Sequence, residues 1–181
     1  MPLMKRLLQA SLIGGLIAGV LDIAYAITAF GPLSYNVPAM RILQSVAAGA
    51  IGREAARAGE WGTAMLGLGL HLLIAIGMAA VFVLAASRLR FLLRPALLWG
   101  VLYGLLLWVA MNYIIVPLSA AGPNLHFAAG IGEASERLRE AFSQVQNADA
   151  NHPWMLWGSL FAHTFLVGVP IALVAKRHQT D

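Results

Sequence analysis

The chain has 181 residues, of which 60% are hydrophobic and only 11% charged, and its mean hydropathy is +0.75. A soluble domain carries about a quarter charged residues, so this composition excludes an ordinary water-soluble globule and points to an all-helical integral membrane protein in a single membrane domain spanning residues 1–181. The 12 Lys and Arg against 8 Asp and Glu give a pI near 10.0, but the basic residues sit at the ends of apolar runs, which excludes nucleic acid and makes the lipid bilayer the partner.

Crossing a hydrocarbon core of about 30 Å takes roughly 20 helical residues. Four runs meet that length. The first extends from Leu7 to Phe30, with Asp22 as its only formal charge. Lys5 and Arg6 ahead of it and Ala24-Tyr25-Ala26 within it also have the form of a secretory signal with a small-x-small cleavage site; the apolar run continues past that point, which favours a retained span. Beyond it, Asn36 and Pro38 suit a helix start, and Ala39, Ile42, Leu43, Val46, Ala47, Ala50 and Ile51 fall on one face of a short amphipathic helix. The second span runs from Gly62 to Ser87 and contains His71, and the third from Pro95 to Ser119 with Asn112 as its strongest hydrogen-bonding group. A second outer helix is predicted from Ile131, Ala134, Leu138, Ala141, Phe142 and Val145, followed by an exposed loop over 144–151. The fourth span runs from Trp154 to Ala175 and contains His163.

Flanking charge sets the orientation. Lys5, Arg6, Arg88, Arg90, Arg94, Lys176 and Arg177 crowd one side, whereas Arg41, Arg53, Arg57, Arg137 and Arg139 are spread over the two long loops. The denser side is predicted to be cytoplasmic, with both termini inside and the long loops outside.

The chain also repeats itself. Gly15-x-x-x-Gly19 recurs as Gly100-x-x-x-Gly104, and Pro32-Leu33-Ser34 as Pro117-Leu118-Ser119, both displaced by 85 residues. Met65, Gly67, His71 and Gly77 of the second span mirror Met155, Gly158, His163 and Gly168 of the fourth, displaced by 90 to 92. The pattern is that of a tandem two-span unit, one copy over about 7–90 and the other over about 95–177. An even number of spans per unit makes the repeats parallel, with an axis along the membrane normal. Small residues four apart allow helix backbones to approach closely, so Gly15, Gly19, Gly100 and Gly104 mark packing faces; packing within the chain is favoured over a homo-oligomer interface.

Depth singles out four polar residues. Asp22 lies about 12 Å inside the outer end of its span, and His71 and His163 each about 13 Å inside theirs, with Asn112 shallower. An intramembrane carboxylate is a functional candidate by default, either protonated, paired with a histidine, or facing a wet cavity. Three uses stay open: Asp22, His71, Asn112 and His163 as a site for a proton, ion or small ligand; His71 and His163 as axial ligands of a haem b; or all four as interhelical hydrogen bonds that fix a bundle. Zinc is a weaker variant because the donors are few. Zero cysteines exclude thiol catalysis and iron–sulfur ligation, and the chain has no nucleotide-binding glycine loop, serine nucleophile motif or paired carboxylates within a span, which argues against a conventional enzyme. His126, His152 and His178 are predicted to be solvated in loops or the tail.

With the Gly-Leu-Ile-Ala-Gly of the first span, the stretch from Gly100 to Leu118, and the segment from Trp157-Gly158 to His163 in view, the chain resembles the bacterial four-span inner-membrane proteins of the YagU type. The resemblance covers most of the spans and fades in the outer loops. It implies four spans in a bacterial inner membrane; the family has no settled activity, so no residue role is carried over.

Overall fold

The computed structural model describes residues 3–121, 126–145 and 148–180. Helix accounts for 83% of the structure, and there are no strands among the described residues. Four helices are long and apolar enough to cross a membrane: α1 (Leu3–Phe30), α4 (Glu60–Arg88), α5 (Ala96–Leu118) and α7 (Trp154–Gln179). Shorter helices fill the connections, namely α2 (Ala39–Ile51), α3 (Arg53–Ala58) and α6 (Ile131–Ser143). α3 was not legible as a separate helix, and α1 and α7 run several residues past the limits that hydropathy suggests, because the flanking Lys5, Arg6, Lys176 and Arg177 are good helix formers.

Local chemistry explains the breaks. α1 stops ahead of Pro32, and the chain reverses through hydrogen bonds from Gly31 N to Ile27 O and Val37 N to Phe30 O. α2 follows Pro38, whose fixed φ suits a helix start. It ends at Gly52, whose φ of 81° is a left-handed value that a side chain would resist, with its N–H capping Ala48 O at 3.0 Å. Within α5 the segment Met111–Ile115 is a π-helix, and so is Ala162–Gly168 within α7. Each lies two residues ahead of a proline, Pro117 and Pro170. A proline ring clashes with the carbonyl four residues back and supplies no N–H, so the preceding turn widens.

The chain divides into two units. The first comprises Met1–Tyr25, His71–Trp108 and Gly158–Asp181. Its core is built from small residues around a few large ones: Ala18, Ala79, Ala86, Ala172 and Ala175 pack with Phe82, Val83 and Ile171. Glycines let main chains meet. A Cβ at Gly15 would collide with the Ile76 backbone, one at Gly19 would lie 3.0 Å from Ala75 Cβ, and one at Gly100 would lie 2.8 Å from Val169 Cα. At Gly104 it would fall 2.5 Å from Thr164 Cα and closer still to the His163 carbonyl. Polar side chains tie the helices through main-chain oxygens: Tyr103 Oη donates to Met78 O (2.7 Å) and Gln179 Nε2 to Val83 O (3.1 Å).

The second unit comprises Ala26–Leu70 and Val109–Trp157. Gln44, buried, donates to Glu60 O (2.8 Å) and Thr63 Oγ1 (3.2 Å), joining α2 to α4, while Gly67 admits the Leu43 carbonyl. Arg137 turns inward from α6. Its guanidinium is buried, pairs with Glu133 (2.5 Å), and donates to Pro117 O (3.2 Å) and His126 O (2.8 Å). Tyr113 stacks on Phe142 at 5.0 Å, fastening α6 to α5.

Two glycines make a controlled comparison. Gly104→Ala forces two backbones apart and is expected to cost about 1–3 kcal/mol. Gly77, beside which nothing lies within 4 Å, is expected to accept alanine without loss. Thermal melts of both variants in detergent check this; equal melting temperatures would contradict the close packing.

Candidate functional site

Asp22 and His71 both belong to the first unit, on α1 and α4. Asp22 stands eight residues before the end of α1, about 12 Å in, and His71 eleven residues beyond the start of α4, about 16 Å in. Gly19 is one turn before Asp22 on the same face of α1. Because Gly19 carries no side chain, α4 comes close enough for His71 Nε2 to reach the Gly19 carbonyl at 3.0 Å. The same nitrogen lies 3.7 Å from Asp22 Oδ2. A carbonyl oxygen only accepts, so Nε2 carries the hydrogen, and in the neutral ring the lone pair is left on Nδ1. Both side chains are largely enclosed, at 17% and 23% exposure, in helices long and apolar enough to cross a membrane.

His163 matches His71 in sequence position but not in its contacts. It lies in the π-helical stretch of α7, and its Nδ1 bonds to Ser159 O of its own helix at 3.0 Å. Among the described residues, no group of three or more histidines, cysteines and carboxylates could hold a metal ion, so Asp22, His71 and His163 do not form such a cluster. Asn112 belongs to the second unit, in the π-helical stretch of α5. With Nε2 of His71 bonded to Gly19 O and Nδ1 of His163 bonded to Ser159 O, the lone pairs of the neutral rings lie on His71 Nδ1 and His163 Nε2.

A second polar cluster lies in the second unit and joins Tyr35 to Asp149, in the loop predicted to be exposed, and to His152, predicted to be solvated. Asp149 accepts from Asn151 N through Oδ1 (2.7 Å). Its Oδ2 accepts from the hydroxyl of Tyr35 and faces His152 Nδ1 at 3.5 Å. The Tyr35 and His152 rings meet edge to face at 4.7 Å. His152 is therefore partly enclosed. His178 likewise sits inside α7, bonded to Val174 O at 3.0 Å, and not in a free tail. Of the loop predicted over 144–151, residues 146 and 147 lie outside the described residues. Sequence reading missed the Tyr35–Asp149–His152 cluster because 114 positions separate tyrosine from aspartate; the one local signal was the Asp-x-x-His spacing.

No family model, curated protein or solved structure matches the chain.

The Asn151 N–H, and then the neighbouring His152, hold the Asp149 carboxyl below the usual carboxylate range. A folded-state value below the unfolded one stabilises the fold above the usual carboxylate range, and that contribution is lost as pH falls through the depressed value. The melting-temperature gap between wild type and Asp149→Asn is expected to narrow as pH falls from about 6 to about 3. A gap that stays constant would contradict the charged contact.

Proposed function

We propose that the chain is a four-span protein of a bacterial inner membrane, similar to the YagU type, in which the Asp22–His71 pair takes up a proton or small cation from the outer side. The observation that carries this is a carboxylate 3.7 Å from an imidazole on facing helices long and apolar enough to cross a membrane. An ionisable pair is costly in hydrocarbon, and such groups inside spans serve ion and proton paths.

The apolar surface supports the bilayer assignment. Leu73, Val81 and Leu106 are 61–64% exposed on the long helices, as side chains facing acyl chains would be. Two parallel two-span repeats are supported by matching contacts: Gly15 and Gly19 close on Ile76, Ala75 and Leu72, while Gly100 and Gly104 close on Val169, Thr164 and His163. These glycines are filled by their own chain, which supports packing within one copy over association between copies. Both termini are assigned to the cytoplasm on the flanking charges.

The chemistry follows from the tautomer. A proton accepted at Nδ1 makes the His71 ring cationic, and its Nε2–H is then drawn from the neutral Gly19 oxygen toward the Asp22 carboxylate. Loss of that proton lets the ring settle back on Gly19. A ring that exchanges the Gly19 oxygen for the Asp22 carboxylate as it gains and loses a proton is a minimal proton-handling element.

Proteoliposomes containing a pH-sensitive dye test this reading. Under an imposed potential, wild type is expected to acidify the lumen faster than empty vesicles, and Asp22→Asn and His71→Gln are expected to fall to the empty-vesicle rate while retaining their helical signal. Variants that lose thermal stability but keep wild-type flux would overturn the assignment and leave the pair as a tie between helices.

A further inference from the structure

Beside the Tyr35–Asp149–His152 cluster is an open cleft of about 370 Å³ lined by Phe30, Tyr35, Ala148, Asp149, Ala150 and Met155, all within the second unit. That volume suits a small organic molecule. Its lining brings apolar side chains together with polar groups, among them the Tyr35 hydroxyl and the Asp149 carboxylate. Met155 is buried, Phe30 and Tyr35 stack with centroids 6.4 Å apart, and the turn that carries both aromatics is pinned by Asn36 N to Gly31 O (2.8 Å) and Ser34 Oγ to Ala29 O (2.5 Å). Asp149 is the one charged side chain among the described lining residues. Its carboxylate is held in place by Asn151, Tyr35 and His152, and Oδ1, which takes a single hydrogen bond here, keeps acceptor capacity.

Charge and shape decide among ligand classes. An anion would meet a carboxylate and no fixed cation. A metal ion would find one carboxylate and one imidazole, short of the three donors that no group of described residues supplies. A neutral apolar molecule would strip water from Asp149 with nothing in return. An organic ammonium satisfies the carboxylate with its charge, and its methyl or methylene groups suit the Phe30 and Tyr35 rings of the lining, since aromatic side chains attract such cations.

We propose that this cleft is a binding site for a small organic ammonium, with Asp149 as the counter-charge and Phe30 and Tyr35 as the aromatic walls. The ammonium arrives either as a free amine or as the headgroup of a lipid. The proposal is independent of the Asp22–His71 pair.

The test uses the full chain in phosphatidylglycerol nanodiscs, titrated calorimetrically with choline and ethanolamine. Saturable one-to-one binding of at least one of them is expected. Dimethylbutanol, in which carbon replaces the ammonium nitrogen of choline, is expected to bind about tenfold more weakly or not at all. Asp149→Asn and Phe30→Leu, each checked for wild-type helicity and melting, are expected to weaken binding about tenfold and about fivefold, while Glu136→Gln, an exposed carboxylate in α6, leaves it unchanged. Adding phosphatidylethanolamine to the nanodiscs separates the sources: competition identifies a lipid headgroup, and no competition a free amine. Wild type that takes up neither amine overturns the proposal, as does one that binds dimethylbutanol as well as choline. The comparison of choline with its isostere needs only wild-type protein, so it stands even where a variant fails to fold.

Discussion

The hydrogen bond from His71 to the carbonyl of Gly19 is the contact on which the candidate site rests. It exists because position 19 has no side chain: a Cβ there would crowd Leu72 and Ala75 on α4, and the imidazole would be held off the α1 backbone. Once the ring is seated on that oxygen, the helical spacing of three residues brings Asp22 beside the same nitrogen. Backbone shape, tautomer and charge pairing thus follow from one missing methyl group.

The same economy recurs along the chain. In an apolar setting a polar side chain finds little water, and a helix carbonyl, already engaged with its own N–H, still has a second lone pair to offer. Tyr103 uses Met78 O, Gln179 uses Val83 O, and His163 uses Ser159 O. Arg137 does so outside the long helices, joining the carbonyls of Pro117 and His126 while its charge is matched by Glu133. Against this background Asp22 stands apart. A carboxylate cannot donate to a carbonyl unless protonated, so it needs a cation or a shared proton, and His71 Nε2 lies 3.7 Å away.

Hydropathy made the four long helices legible because twenty or more apolar residues have few other uses, and the two amphipathic segments declared themselves by period. The similar depths that the spans assign to Asp22 and His71 anticipated their meeting, because helices that cross at a glycine bring neighbouring levels together. His163 shows where that reasoning stops. It matches His71 in sequence position, yet a local carbonyl captured its ring, and no periodicity reveals such a choice. The π-helical stretches at Met111–Ile115 and Ala162–Gly168 were signalled only by prolines two residues downstream. The Tyr35–Asp149–His152 cluster and the burial of Gln44 and Arg137 were hidden because polar loop residues resemble solvated ones until long-range contacts are known.

The protonation pattern of the His71 ring tests the central claim most directly. Nitrogen-15 magnetic resonance of the labelled protein in lipid bilayers near neutral pH is expected to show hydrogen on Nε2 and none on Nδ1, with the Nε2 resonance displaced in Asp22→Asn. A ring protonated on Nδ1 alone, or a spectrum indifferent to Asp22, would contradict the seating on Gly19 and the pairing built on it.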